Sequence, residues 1–212
     1  MADSSKLRKY RSDHEDLETN SRSAIVEAGR VLFLKQGIAS TTMGEIAEQA
    51  GVSRVTVYRH FPECGAIAFV VYNQMLESIL EATRAGVPTG VSGLDAARHC
   101  LNALFAAYPS QESAFRYCAA FSSYYAMEER SDELAEWYGA REFQGLADAC
   151  AAFFGSQFDR ETSGRLMALT DAAASGLCGL AVAGSPLNQT YVESRLRSLK
   201  ELILGQFDSL AA

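Results

Sequence analysis

Apolar positions along this chain recur at helical rather than alternating spacing, and the sharpest local pattern lies between Thr41 and Phe61. Ile46, Ala47 and Ala50 there fall at i, i+1 and i+4, one face of a helix. Thr42 and Glu45 form a T-x-x-E capping box, in which each side chain satisfies a free backbone N–H, so the helix starts near Met43. Gly51 follows where a left-handed residue ends a helix cheaply. Ser53 caps a second helix, Val52 and Val57 are spaced as a hydrophobic staple, and Pro62 stops the helix near Phe61. The spacing of Ala47, Gly51 and Val57 is that of a helix-turn-helix: a small residue at the crossing, a glycine in the turn and a branched apolar residue beneath the second helix. With Val55 and Val57 assigned inward, Ser53, Arg54, Thr56, Arg59 and His60 lie outward, where side chains meet base edges and phosphates when a helix enters a major groove.

Upstream, Ser21 is a plausible cap for a first helix carrying Ile25, Ala28, Leu32 and Phe33, which Gly37 ends. Residues 1–20 are almost without apolar side chains and are expected to be disordered. Their basic cluster, Lys6, Arg8, Lys9 and Arg11, precedes the acidic Asp13, Glu15, Asp16 and Glu18. This is either a solvated tail or an arm that reaches the minor groove beside the recognition helix. Downstream, a longer helix is expected over 66–83, a breaker over 85–93, and further helices over 94–108, 111–129, 132–154, 159–183 and 188–210. Pro109 separates the first two of these. The pattern predicts an all-α chain of about nine helices, with an arm at 1–20, a three-helix head at 21–65 and a helical body at 66–212.

From Ser21 to about Leu76 the chain resembles the N-terminal domain of the tetracycline-repressor-like (TetR) family of transcriptional regulators. The matching residues are Ala24, Ile25, Ala28 and Phe33, then Gly37, Thr41, Thr42, Ile46, Ala47, Ala50-Gly51-Val52-Ser53, and finally Tyr58-Arg59-His60-Phe61-Pro62. About a quarter of the chain carries the match. The resemblance implies a cytoplasmic homodimer that binds a palindromic double-stranded DNA operator and is released by a small-molecule effector. Arg54 is the expected base reader, assisted by Thr56 and Ser53, while Tyr58, Thr42 and Arg59 hold phosphates; Thr41 and His60 complete the expected DNA-binding set. Members of the family usually follow the F-P pair with a lysine that reaches a phosphate. Here Glu63-Cys64-Gly65-Ala66 stands instead, so affinity is expected to lean on Arg54, Arg59 and the arm.

The body carries two further features. Residues 167–183 are crowded with Ala, Ser and Gly, two of them glycines that weaken a helix and suggest close approach by a neighbour. The last helix presents Tyr191, Leu196, Leu199, Leu202 and Ile203. In the resembled family these two helices pair with those of a second subunit, and ordinary packing within one chain is the alternative. The middle of the chain is rich in aromatic residues, most of which are expected in the core. The resemblance implies an effector pocket among them, with Phe105, Tyr108, Arg116, Phe121, Tyr124, Tyr125, Trp137 and Tyr138 as candidate ligand-binding residues.

Composition changes this picture little. The net charge of −7 argues at first against a nucleic-acid partner, but residues 1–63 hold nine basic and nine acidic side chains, and the acidity falls entirely after them. A neutral head binds DNA if its basic residues share one face. The five cysteines, Cys64, Cys100, Cys118, Cys150 and Cys178, have neither metal nor disulfide spacing and read as reduced thiols; Cys64, near a helix start, is the candidate for a reactive one. His99 beside Cys100 is too little for a metal site. No cofactor, no signal peptide and no run of eighteen apolar residues is expected. An enzyme or ligand carrier is the alternative class, but the chain has no nucleophile elbow, zinc-protease helix, Walker loop or dinucleotide fingerprint.

Overall fold

The computed structural model describes residues 4–127, 158–184 and 189–211, with side chains over 18–126, 158–184 and 189–210. These residues form seven helices and no strand: α1 Ser4–Gln36, α2 Met43–Ala50, α3 Arg54–His60, α4 Cys64–Ala85, α5 Gly93–Met127, α6 Arg160–Ala183 and α7 Gln189–Ala211. The all-α reading therefore holds for the described residues. The helix expected over 132–154, with Trp137 and Tyr138, lies outside them. The chain divides into two compact units, Met1–Tyr72 with Tyr124–Arg141, and Asn73–Ser123 with Glu142–Ala212.

The first unit is built on caps and a small apolar core. Glu45 N donates to Thr42 Oγ1 at 3.3 Å and Thr42 N donates to Glu45 Oε2 at 2.8 Å, the reciprocal box that starts α2. Gly51 adopts φ 67°, a left-handed conformation that costs other residues steric strain. Its N–H bonds Glu48 O while Val52 N–H bonds Ala47 O, which closes the helix end in a Schellman motif. Ser53 Oγ accepts the Thr56 N–H at 3.1 Å and starts α3. Ile25, Phe33, Ile46, Ala47, Val57 and Phe61 are buried together as the floor on which α3 lies. α1 and α4 approach so closely at Gly29 that a Cβ there would stand 2.7 Å from Ile67 Cγ2.

Two sequence expectations fail here. Ser21 does not begin a helix, because α1 is already continuous from Ser4 through the expected arm; that stretch contains neither Pro nor Gly, and its Lys, Arg and Glu residues are helix formers. Val55 is not inward: it is 78% exposed, whereas Val57 is fully buried. Residues two apart on a helix point about 200° from each other, so both valines cannot face one floor.

In the second unit α5 runs unbroken through Pro109, so the expected separation into two helices there is also overturned. Proline removes one N–H and crowds the preceding turn, yet Phe105, Tyr108, Ala114 and Phe115 on both sides of it are buried, and packing holds the helix together across the defect. The Ser110 hydroxyl donates to Ala107 O at 3.0 Å in the affected turn. α6 buries Leu166, Thr170, Ala173, Ala174, Leu177 and Ala181. At Gly176 the body of Leu199 from α7 lies where a side chain would stand, so one of the two suspected glycines does mark a close approach, while Gly179 faces open space. Buried Thr83 and Thr170 each donate back to the carbonyl four residues earlier, at 2.8 Å, and leave no unmet hydroxyl. Among the described residues one helix, α6, is long and apolar enough to cross a membrane by length and composition alone, and 33% of its most apolar window is buried.

Because Ile46 is fully buried between these helices, Ile46→Ala is expected to lower stability by about 3 kcal/mol through lost transfer energy and the cavity left behind. Denaturant titration followed by far-ultraviolet circular dichroism checks this; a loss below about 1 kcal/mol would mean the floor under α3 is not packed as described.

Candidate nucleic-acid interface

α3 is held from beneath by one fully buried residue, Val57, and at its ends by Ser53 and by Phe61, whose N–H bonds Val57 O at 2.9 Å. Its outer face is consequently left to Arg54, Val55, Tyr58 and Arg59, all exposed. Tyr58 is 57% exposed and is not a core tyrosine. Ser53 is exposed and engages Thr56, their hydroxyl oxygens 2.9 Å apart, so both are committed to the cap. Thr42 is exposed at the start of α2, although its hydroxyl donates to Glu45 Oε2 at 2.8 Å. The Glu45 carboxyl is held below the usual carboxylate range, first by the Thr42 backbone N–H and then by the Thr42 hydroxyl and Gln36.

Thr41 and His60 are placed differently. Thr41 is buried, and its hydroxyl donates to Gly37 O at 2.8 Å, which ties the loop before α2 to the end of α1. The Cys64 thiol donates to Thr41 O at 3.4 Å and fixes the same loop to the start of α4. His60 turns into the unit, and its Nε2 is buried without a hydrogen-bond partner. Burial lowers its pKa first, Arg59 and Arg22 lower it further, and Glu18 opposes them. The Arg22 guanidinium stands over the Phe61 ring, 5.1 Å from its centroid, a cation–π contact that joins α1 to the residue ending α3. Val55 is the outward residue that the sequence reading missed; its period-2 relation to Val57 was the available signal.

Of the candidate effector residues, Phe105, Tyr108, Arg116 and Phe121 fall in the second unit, and Trp137 and Tyr138 lie outside the described residues. Phe105 and Tyr108 are both buried, and the clefts they line share Glu193 and Leu196. Tyr108 lines a cleft of about 450 Å³ with Pro109, Glu112, Gly184, Gln189, Val192, Glu193 and Leu196, while Phe105 lines one of about 390 Å³ with Arg197 and Lys200. Arg116 is spoken for, since its Nε donates to Ala181 O at 2.8 Å at the end of α6 and it pairs with Glu112. Phe121 is fully buried, and Tyr124 and Tyr125 are partly exposed on residues grouped with the first unit. The Tyr108 hydroxyl is buried without a hydrogen-bond partner, and burial, then Glu112, raises its pKa. Burial also raises the pKa of the Cys178 thiol, to about 11, and that of Cys118, whose proximity to Cys178 adds to the effect. Both are thus protonated near neutrality and poor nucleophiles. His99 is exposed while Cys100 is buried, so the adjacent pair does not converge.

The burial of His60 sets a pH dependence. A histidine whose folded pKa lies below its unfolded value of about 6.5 binds fewer protons folded than unfolded, so it lowers stability as pH falls through 6.5 toward the folded pKa. Melting temperatures at pH 7.5 and 5.5 are expected to differ more for the wild type than for His60→Asn, and identical pH dependence in the two proteins would remove His60 as the cause.

Residues 25–63 match the family profile described as bacterial regulatory proteins, tetR family. The chain is 47% identical over 51 residues to the HTH-type transcriptional regulator TtgR of Pseudomonas putida, covering 24% of this chain and 23% of that protein. It is 44% identical over 43 residues to the HTH-type transcriptional regulator AcrR of Shigella flexneri, 20% of each chain. The matches thus span less than a quarter of either relative. Over most of its length the fold is that of a TetR-family transcriptional regulator from Rhodococcus sp., with a TM-score of 0.58 at 18% identity, covering 91% of this chain and 99% of that one. It is likewise that of FadR from Thermus thermophilus, a TetR-family repressor solved in complex with lauroyl-CoA, with a TM-score of 0.50 at 21% identity, covering 86% of this chain and 93% of that one. At such identities the likeness is one of fold. Residues 25–63, which hold the capped helix pair, thus match the tetR family of bacterial regulatory proteins, and the wider helical architecture has the fold of TetR-family structures.

Proposed function

We propose that the protein is a DNA-binding transcriptional regulator, a repressor released from a palindromic operator by a small-molecule effector. The carrying observation is the outer face of α3: a helix anchored by one buried valine that presents Arg54, Val55, Tyr58 and Arg59 to solvent. Such a face suits a major groove, where arginine forks match guanine or phosphate and an apolar group meets the thymine methyl. Tyr58, Arg59 and Thr42 are the candidates for phosphate contact and register. Thr41 and His60 support the interface from within.

The reading includes a homodimer through α6 and α7. Two recognition helices must stand about 34–36 Å apart to read successive half-sites of a palindrome. α6 is apolar yet only partly buried within its own chain, Gly179 on it is open, and Val182, Tyr191 and Leu202 are large exposed apolar or aromatic residues on α6 and α7. A second copy covers such a surface and supports solubility in the cytoplasm.

The effector site in this reading is the Tyr108 cleft. An unpaired buried hydroxyl is costly and is relieved by a ligand that hydrogen-bonds to it. Pro109, Val192 and Leu196 supply apolar wall. An effector that fits one arrangement of the body better than another shifts the population off DNA by its differential affinity for the two.

Selection of bound fragments from a random duplex pool at about 150 mM salt is expected to return one palindrome, and recovery without any consensus would sink the sequence-specific reading. In sedimentation velocity, Leu202→Glu combined with Val182→Glu is expected to turn a dimer into a monomer with unchanged helix content. A double variant that remains dimeric would move the interface elsewhere.

A further inference from the structure

The Arg54 side chain, on the first residue of α3, reaches back to the first turn of α2 and rests on Gly44. A Cβ built on Gly44 would stand 2.7 Å from Arg54 Nη2 and 3.1 Å from both Cζ and Nε. These separations are well inside van der Waals contact, so the guanidinium fills the volume that any other residue would give to its own side chain. The capping box does not require the glycine, since Thr42 and Glu45 bond each other across it. Its conformation does not require it either, for Gly44 is helical and a helix favours almost any residue over glycine. Glu45, the acid on the same turn, is taken up by Thr42 and Gln36. Among the described residues Arg54 has no ion-pair partner.

We propose that Gly44 is a positioning residue: by lacking a side chain it lets the Arg54 guanidinium lie across the start of α2, and so assigns Arg54 to the DNA sugar-phosphate backbone instead of a base edge. The inference rests on the DNA-binding reading above and departs from the base-reading role expected of Arg54. In a helix-turn-helix the first helix crosses the backbone while the second enters the groove. A guanidinium folded onto the first helix therefore stands beside phosphates, whose oxygens its planar fork accepts two at a time. The position also answers a deficit in the sequence. Glu63-Cys64 replaces the lysine that the family commonly places after the F-P pair, and Arg54 restores one cation to the backbone contacts. Val55, Tyr58 and Arg59 remain the other exposed residues of α3.

The test is a double-mutant cycle on the full-length protein, with affinity measured by fluorescence anisotropy for the selected operator and for a random duplex across a salt series. Arg54→Ala is expected to weaken both DNAs by the same factor, about tenfold, and to reduce the salt slope by about one. Gly44→Ala, which places a methyl where the guanidinium lies, is expected to weaken both DNAs in the same way. It is expected to have no effect when made on Arg54→Ala, because only the displaced arginine connects the two sites. The melting temperature of Gly44→Ala is expected to equal or exceed that of the wild type, which separates repositioning from misfolding. A loss confined to the operator would return Arg54 to base reading and overturn the proposal, as would an unchanged affinity for Gly44→Ala or an equal loss in the Arg54→Ala background. Failure of the wild type to bind any duplex would instead overturn the DNA-binding reading, and this inference with it.

Discussion

The arrangement at the head depends on the burial of Val57. α3 runs only from Arg54 to His60, and a helix of that length does not persist in water by itself, because nucleation is costly and few propagating hydrogen bonds follow it. It exists because Ser53 and Phe61 close its ends and because Val57 seats on the floor built by Ile46, Ala47 and their neighbours in α1. Outward presentation of Arg54, Val55, Tyr58 and Arg59 is a consequence of that one inward anchor. Chemistry at the interface and packing beneath it are therefore coupled: loosening the floor rotates every contact residue together.

The second unit follows a different economy of polar groups. Thr83 and Thr170 answer their own burial with bonds to carbonyls one turn back, and Arg116 reaches the carbonyl of Ala181, near the C-terminal end of α6 where a cation is favoured by the helix dipole. Against that background of satisfied groups the Tyr108 hydroxyl stands out. It lies one residue before Pro109, where the helix has already given up a backbone donor, and it borders a cleft. Among the described side chains of this unit it is the one buried oxygen without a hydrogen-bond partner.

Much of the head was legible because its determinants are local. The Thr42–Glu45 box, the left-handed Gly51, the Ser53 cap and the Phe61-Pro62 stop each act over four residues or fewer, and each stands in the structure where spacing placed it. What the pattern misjudged was decided over longer distances or by geometry it did not apply. Val55 was set inward on hydrophobicity alone although helical period put it opposite Val57. Pro109 read as a break because proline removes a helix donor, whereas the burial of Tyr108 and Phe115, whose rings stand 5.6 Å apart across it, is not visible in the local pattern. For Thr41 and His60 the structure adds what the motif does not carry, that Thr41 is buried and that His60 Nε2 is enclosed without a hydrogen-bond partner. Of the candidate effector residues, Phe105, Tyr108 and Phe121 are buried, as aromatics at helical spacing mostly are.

The continuity of α1 has a mechanical consequence. As a helix, the stretch from Ser4 to Ser21 is a rod about 25 Å long and 10–12 Å across, whereas a B-form minor groove is only about 6 Å wide. Unwound, the same stretch is a thread that narrows to a single backbone and reaches about twice as far. The rod and the thread are two gauges of one segment, and only the thread fits the slot; a duplex that draws the basic cluster into its minor groove must first unwind the rod, one turn for each 5.4 Å of axis surrendered.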